Sequence, residues 1–280
     1  RMGDDETSLF PYGGAVHCEY LWPSVRRARA AVFFAQRALE ARFGASDGAG
    51  LRGKKCVVSG STERAFALAL GLIREGAVPV SFSDASGCLV DADGFDEADV
   101  HAIAAHVKGV TTMAGRGKLA DFRAASPTCV FYPVSDMSVF QRVRSYDVAF
   151  PAVAHGEVSA DDAAAMVEAG CRAVFEVSDR ACTENAVRVL EEHPDVLFAP
   201  SKVVTAVPDP VLSATEEDDV AAVRSAMRRV HDEVVLAAQD KALVGDVPVQ
   251  RQLRVGATAL AFARLMASDA LSGHPPHHHE

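Results

Sequence analysis

The residues whose types and spacing bear on chemistry lie at 57–65, Val-Val-Ser-Gly-Ser-Thr-Glu-Arg-Ala, where an apolar run passes into a helix-forming one. A strand-to-helix turn of this kind cradles phosphate when three of its positions are small. The first glycine makes the turn, the second lets backbone approach a pyrophosphate, and the third admits close helix packing. Gly60 and Ala65 fill the first and third places and Thr62 the second, so a β-carbon stands where a pyrophosphate would come closest. Gly60, Ser61 and Thr62 are the candidate cofactor-binding residues on the phosphate side. Asp84, at the end of the next apolar run, is the candidate carboxylate for a ribose hydroxyl. Each has a plainer reading: the glycine segment as a structural turn, and Asp84 as a turn and cap residue.

The remaining reactive side chains form no pattern. His101 and His106 are five apart, which does not put them on one helical face for a metal, and both are expected to face solvent. Six cysteines (Cys18, Cys56, Cys88, Cys129, Cys171 and Cys182) contain no C-x-x-C pair and read as buried thiols of a reducing compartment. No G-x-S-x-G, H-E-x-x-H or P-loop pattern is present. No catalytic residue and no metal site is assigned. The tail GHPPHHHE, 273–280, is short, polar and broken by proline, and is expected to be disordered rather than metal-binding.

Positioning the glycine turn takes alternating strands and helices. Residues 24–42 have apolar positions at helical spacing, with Ser24 as the N-cap. A strand at 54–60 leads into a helix at 63–76 closed by Gly76, then a strand at 77–84, a turn at 91–94 and a helix at 96–108. Further strands are read at 128–133, 146–151, 172–177 and 195–200, with helices at 159–169 and 182–192. This alternation implies right-handed βαβ units. The fold class is therefore α/β, a Rossmann-type doubly wound, mostly parallel sheet with additional C-terminal helices. Those helices are expected at Thr215–Ala242, whose acidic first turn (Glu216, Glu217, Asp218, Asp219) suits the positive end of a helix dipole, and at 251–271. The chain divides into an N-terminal extension (1–22), the Rossmann-like domain (23–212), C-terminal helices packed on it (213–272) and the tail.

Composition sets outer bounds. With 280 residues and 49% apolar content the chain has enough material for a large core. No apolar run reaches the roughly 18 residues of a membrane span. A net charge of −10 argues against direct nucleic-acid binding, which needs clustered cations.

Segments in order over 24–266 resemble the glutamate dehydrogenase family, most closely its NADP-linked hexameric members. LRGKKCVVSGS is similar to the family's lead into its first cofactor strand, and SDASG with DADGF resembles its second-strand end. YDVAFPAVAHGEV, AGCRAVFEVSDRACT, DVLFAPSKVVTAVPD and VGATALAFARLM resemble the segments built around P-C-A-T-Q-N-E, E-G-A-N-M-P, A-P-G-K-A-A-N-A-G-G and G-A-N-I-A-G-F. The resemblance implies NADP(H) as the cofactor of this fold. The departures fall where that family works. Ala154, His155 and Gly156 replace the polar trio that holds the nicotinamide ribose, with Glu157 retained. Glu176 is kept, but Val177, Ser178, Asp179, Arg180 and Ala181 follow it. Thr205, Ala206, Val207 and Pro208 replace N-A-G-G, and Leu212 aligns with a substrate-contacting serine. Arg26, Arg27, Ala28, Arg29 and Ala30 stand for A-T-G-Y-G, two cations replacing Thr and Tyr. His155 has no nucleophile beside it and reads as a surface histidine, and Lys202 as structural.

Only some 20 residues precede the first helix, where the family has the domain that supplies its catalytic lysines and aspartate and most hexamer contacts. The expectation is a non-catalytic relative that holds no cofactor and makes no family-type homohexamer. It would bind other proteins in a larger assembly, in the mitochondrion by family habit and the arginine at position 1, or alternatively in the cytoplasm. Two further readings stay open: an NAD(P)-dependent dehydrogenase using a substrate domain from another chain, and a dinucleotide-sensing module.

Overall fold

A computed structural model describes residues 15–44, 50–109, 117–123, 126–207 and 216–272, with side chains from Pro23 through Arg264. In chain order the elements are α1 (Ala15–Phe43), β1 (Lys55–Val58), α2 (Glu63–Arg74), β2 (Val78–Pro79), β3 (Ser81–Asp84), β4 (Gly87–Asp91) and α3 (Glu97–Gly109). Then come β5 (Cys129–Pro133), α4 (Val139–Arg142), β6 (Val148–Phe150), α5 (Ala160–Glu168), β7 (Ala173–Phe175), α6 (Glu184–Glu192), β8 (Leu197–Ala199) and α7 (Ser201–Val204). The C-terminal layer is α8 (Glu216–Gln239), α9 (Lys241–Val244) and α10 (Gln252–Ser272).

Five strands form a parallel sheet in the order β2-β1-β6-β7-β8. Its strands are apolar on both faces because both are covered. Cys56, Val58, Val148, Phe150, Phe175 and Ala199 face α1, α2 and the C-terminal helices. Their neighbours Val57, Ala149, Val174 and Phe198 face α4, α5 and α6. That two-sided burial explains continuous runs such as Val148-Ala149-Phe150 in place of alternation.

Several boundaries move. The first helix begins at Ala15 and passes through Pro23, so Ser24 lies inside it and is not its N-cap. Proline lacks one amide donor, and the backbone stays helical on both sides of the missing bond. The single strand read at 77–84 is two: β2 joins the parallel sheet, and after Val80 the chain enters β3. β3 pairs antiparallel with β4, a strand at 87–91 that the sequence reading passes over, and β4 pairs antiparallel with β5. The run 128–133 thus belongs to a separate three-stranded sheet. Helix 215–242 is broken at Asp240, whose carboxylate caps α9 by accepting from Ala242 and Leu243. α2 ends at Arg74, and the amides of Gly76 and Ala77 close it on the carbonyls of Ile73 and Leu72.

The C-terminal helices are fixed by shape and charge. A β-carbon on Gly256 of α10 would lie 2.0 Å from the Val234 carbonyl of α8, so these helices meet through a residue without a side chain. The acidic start of α8 meets the arginines of α1: Arg26 Nε lies 2.9 Å from Asp219, Arg29 lies 3.5 Å from the same carboxylate, and Arg29 also pairs with Glu216. Two charge runs at opposite ends of the chain are one cluster. Arg224 of α8 forks onto Glu75 at 2.6 and 3.1 Å, and Arg254 of α10 onto the buried Glu191 of α6.

Candidate functional site

In the parallel sheet the order reverses at β1, which has β2 on one side and β6 on the other. Ligands of doubly wound sheets bind in the crevice outside the carboxyl ends of the strands at this reversal. Here the loops after β1, β6 and β7 and the starts of α2 and α7 surround it.

The glycine turn sits at this point. Gly60 has φ of 90°, a left-handed conformation that glycine adopts without a steric penalty. Its amide donates to Ser83 Oγ at 2.8 Å, and its carbonyl accepts from the Ser83 amide at 3.1 Å, tying the turn to β3. A β-carbon there would come 3.2 Å from Val153 of the opposite loop. Ser59 joins the two sides by accepting from the Ala152 amide at 2.7 Å. Ser61 is half-buried and Thr62 exposed. Thr62 is the N-cap of α2, its Oγ1 accepting from the Ala65 amide at 3.4 Å. The hydroxyl at the second glycine place therefore occupies an amide that faces phosphate in a dinucleotide turn.

Asp84 ends β3 with both carboxylate oxygens in use. One accepts from the Ser86 amide at 2.7 Å and from the Ser86 hydroxyl, and the other from the Leu119 amide at 2.8 Å. It fastens the β3–β4 turn to the segment at 119.

Beyond β6, Ala154, His155 and Gly156 are exposed, and Glu157 folds back to accept from the Val153 amide at 2.9 Å. Burial pushes the Glu157 carboxyl above its ordinary value, against the pull of that bond. Glu176, at the end of β7, is buried and accepts from the amides of Cys182 at 2.7 Å and Ser201 at 3.2 Å. It knits the starts of α6 and α7 together, and burial raises its pKa as well. Arg180 in this loop holds φ of 49°, and its carbonyl accepts from Gly156 at 2.9 Å.

Between these loops lies a cleft of about 220 Å³ lined by Arg27, Arg64, Val177, Asp179, Lys202 and Thr205. Arg64 crosses it from α2 to reach the Val177 carbonyl at 3.5 Å. Desolvation lowers the Arg64 pKa, with repulsion from Arg27 adding to it and Asp179 opposing. Asp179 also accepts from Ser201 Oγ at 3.3 Å. From the sequence Arg27 and Asp179 are separate departures and Lys202 a structural lysine; Arg64 draws no attention there, although its position inside the Gly60–Ala65 turn is a signal, and the fold brings all four to one cleft. Pro208 and Leu212 lie outside the described residues.

The other candidates stay apart. His101 is exposed, whereas His106 is half-buried, 3.1 Å from the Lys118 carbonyl and edge-on to Phe122, so only the first faces solvent. Among the described residues no group of three or more His, Cys, Asp or Glu could hold a metal, and no helix is long and apolar enough to cross a membrane. Cys56, Cys88, Cys171 and Cys182 are buried and Cys129 half-buried, all unpaired. Burial raises every one of these thiols, Cys88 and Cys129 to about 11 and Cys171 to about 12, which leaves little thiolate at neutral pH. Cys18 has no described side chain.

Residues 27–207 match the family described as Glutamate/Leucine/Phenylalanine/Valine dehydrogenase. The chain is 32% identical over 145 residues to the NADP-specific glutamate dehydrogenase of Schizosaccharomyces pombe, covering 51% of this chain and 30% of that protein. It is 31% identical over 157 residues to the NADP-specific enzyme of Giardia intestinalis, covering 56% and 33%. Among solved structures, glutamate dehydrogenase 2 of Plasmodium falciparum superposes with a TM-score of 0.74 at 20% identity, over 90% of this chain and 53% of that one. The hetero-hexameric glutamate dehydrogenase of Thermus thermophilus superposes with 0.61 at 22% identity. The structural likeness concerns the fold, and the match spans about a third of the curated relatives' length and about half of the solved chains.

Proposed function

Because the chain belongs to the Glutamate/Leucine/Phenylalanine/Valine dehydrogenase family, we propose that it is a non-catalytic member, kept as a structural, protein-binding subunit of a larger assembly. One observation carries this reading: polar side chains of the glycine turn, the β3 end and the loop after β6 are bound to the chain's own backbone. Thr62 caps α2, Asp84 takes two amides, and Glu157 takes Val153. Freeing the Asp84 carboxylate alone gives up three charge-assisted bonds, from the Ser86 amide and hydroxyl and the Leu119 amide, each worth roughly 1.5–3 kcal/mol. Losing one preorganised contact to a reacting group costs on the order of 3 kcal/mol, about a hundredfold in rate, and the sequence departs from the family at several such positions. Leu236, Leu243 and Phe262, exposed on the C-terminal helices, support the protein-binding half of this reading.

Fluorescence titration with NADPH, paired with an assay of glutamate-dependent NADP+ reduction, tests the reading. The expected result is no binding in the micromolar range and no turnover. Native mass spectrometry of the endogenous protein is expected to show stable hetero-complexes; a free monomer would refute the protein-binding half.

The preserved left-handed Gly60 turn at the sheet reversal favours a second reading, an NAD(P)-dependent dehydrogenase or dinucleotide sensor. Micromolar NADPH affinity would select it, and turnover would separate enzyme from sensor.

A further inference from the structure

The cleft that replaces a dinucleotide seat has an electrostatic character of its own. Three cations reach it from separate elements: Arg27 from α1, Arg64 from α2 and Lys202 from α7. The carboxylate among the lining residues is Asp179, and its Oδ1 is engaged by Ser201. The lining thus carries three positive charges and one negative. Unlike Arg26 and Arg29, whose charges are met by Asp219 and Glu216, Arg27 and Arg64 have no carboxylate within 4.0 Å among the described residues. Burial first, and repulsion from Arg27 second, lower the affinity of Arg64 for its proton, so an anion seated between the two arginines would relieve both.

The structure points to this cleft as a binding site for a compact phosphoryl dianion, inorganic phosphate or the terminal phosphate of a small monoester. Size and shape set that class. The cleft, about 220 Å³ and open to solvent, has room for a phosphate and a few further atoms. A tetrahedral oxyanion offers acceptors in several directions and suits donors converging from three elements, whereas one planar carboxylate is satisfied by one guanidinium fork. A dianion also matches the net charge of the lining. The inference rests on the reading of the crevice as closed to a dinucleotide, and its test separates the two.

Isothermal titration of the full chain with inorganic phosphate, at constant ionic strength set by chloride, is the experiment. Saturable one-to-one binding is expected, weakened at least about tenfold by Arg64→Gln and by Arg27→Gln. Lys241→Gln, on α9 and away from the cleft, is expected to leave it unchanged. Thermal melts of each variant confirm folding, and Lys202→Gln, at an exposed position, serves if either arginine variant fails to fold. No saturable binding, or binding indifferent to these substitutions, overturns the site. Malonate binding more tightly than phosphate overturns the phosphoryl assignment. NADPH binding at micromolar concentration that phosphate displaces refutes the closed-crevice reading while leaving the cationic site standing. Absence of both ligands refutes the anion site alone.

Discussion

Asp219→Ala tests how the C-terminal layer is held. The Asp219 side chain is 1% exposed, Arg26 is 6% exposed at 2.9 Å, and Arg29 contributes a second contact at 3.5 Å. Removing one partner of a buried pair leaves desolvated charge behind and typically costs about 3–5 kcal/mol. Glu216 still serves Arg29, which favours the lower end of that range, while loss of a first-turn acid from α8 adds about 0.3–1 kcal/mol. The expected destabilisation is about 3 kcal/mol, or roughly 6–10 °C in melting temperature for a chain of this size. Urea unfolding followed by circular dichroism measures it. The double variant Arg26→Met/Asp219→Leu exchanges the pair for apolar volume and is expected to recover most of the loss. An Asp219→Ala protein within about 0.5 kcal/mol of the parent, a surface-like value, would refute the claim that this cluster clamps α8 to α1.

Three further outcomes follow from the same packing. Gly256→Ala puts a carbon 2.0 Å from the Val234 carbonyl and must push α10 from α8; the clash outweighs the gain in helix propensity and is expected to destabilise by about 2 kcal/mol, read from urea midpoints. His231 is buried edge-on to Phe34, and desolvation lowers its pKa below the ordinary 6.5 despite the hydrogen bond to Asp232. The unfolded chain therefore takes up a proton first, so stability held above about pH 6.5 declines as pH falls toward the folded-state value. His231→Phe is expected to flatten that decline in midpoints taken from pH 7 to 5; parallel curves for the two proteins would count against it. Arg180→Gly relieves a left-handed residue with a side chain and is expected to stabilise by about 1 kcal/mol in thermal melts, with an unchanged or lower melting temperature ruling out strain there.

The Gly60 turn was legible because its signal is local: an apolar run, a glycine and a helix former within nine residues. The structure gives that glycine its left-handed φ. Thr62 shows the limit. Its place in the motif is plain in the sequence, but that its hydroxyl caps α2 depends on the path of the backbone. Arg64 was hidden because an arginine in a helical run is ordinarily a solvated residue. Its importance comes from Val177 lying opposite, in the loop after β7, more than a hundred positions later.

What the sequence by itself determined is the set of βα units, with strands read at 54–60, 146–151, 172–177 and 195–200 that the structure trims to 55–58, 148–150, 173–175 and 197–199, and the family likeness. Periodicity and turn chemistry act over a few residues and need no partner. Tertiary structure decided the rest. The run at 129–133 is rich in β-formers whether it pairs parallel or antiparallel, and only the β3–β4 hairpin beside it settles the direction. Arg29 and Glu216 stand 187 positions apart, each reading alone as a solvated helix charge or a dipole cap. Their meeting, like that of Arg27, Arg64 and Lys202 around one cleft, is fixed by how helices cross a sheet, because Coulomb interactions depend on distance in space and not along the chain.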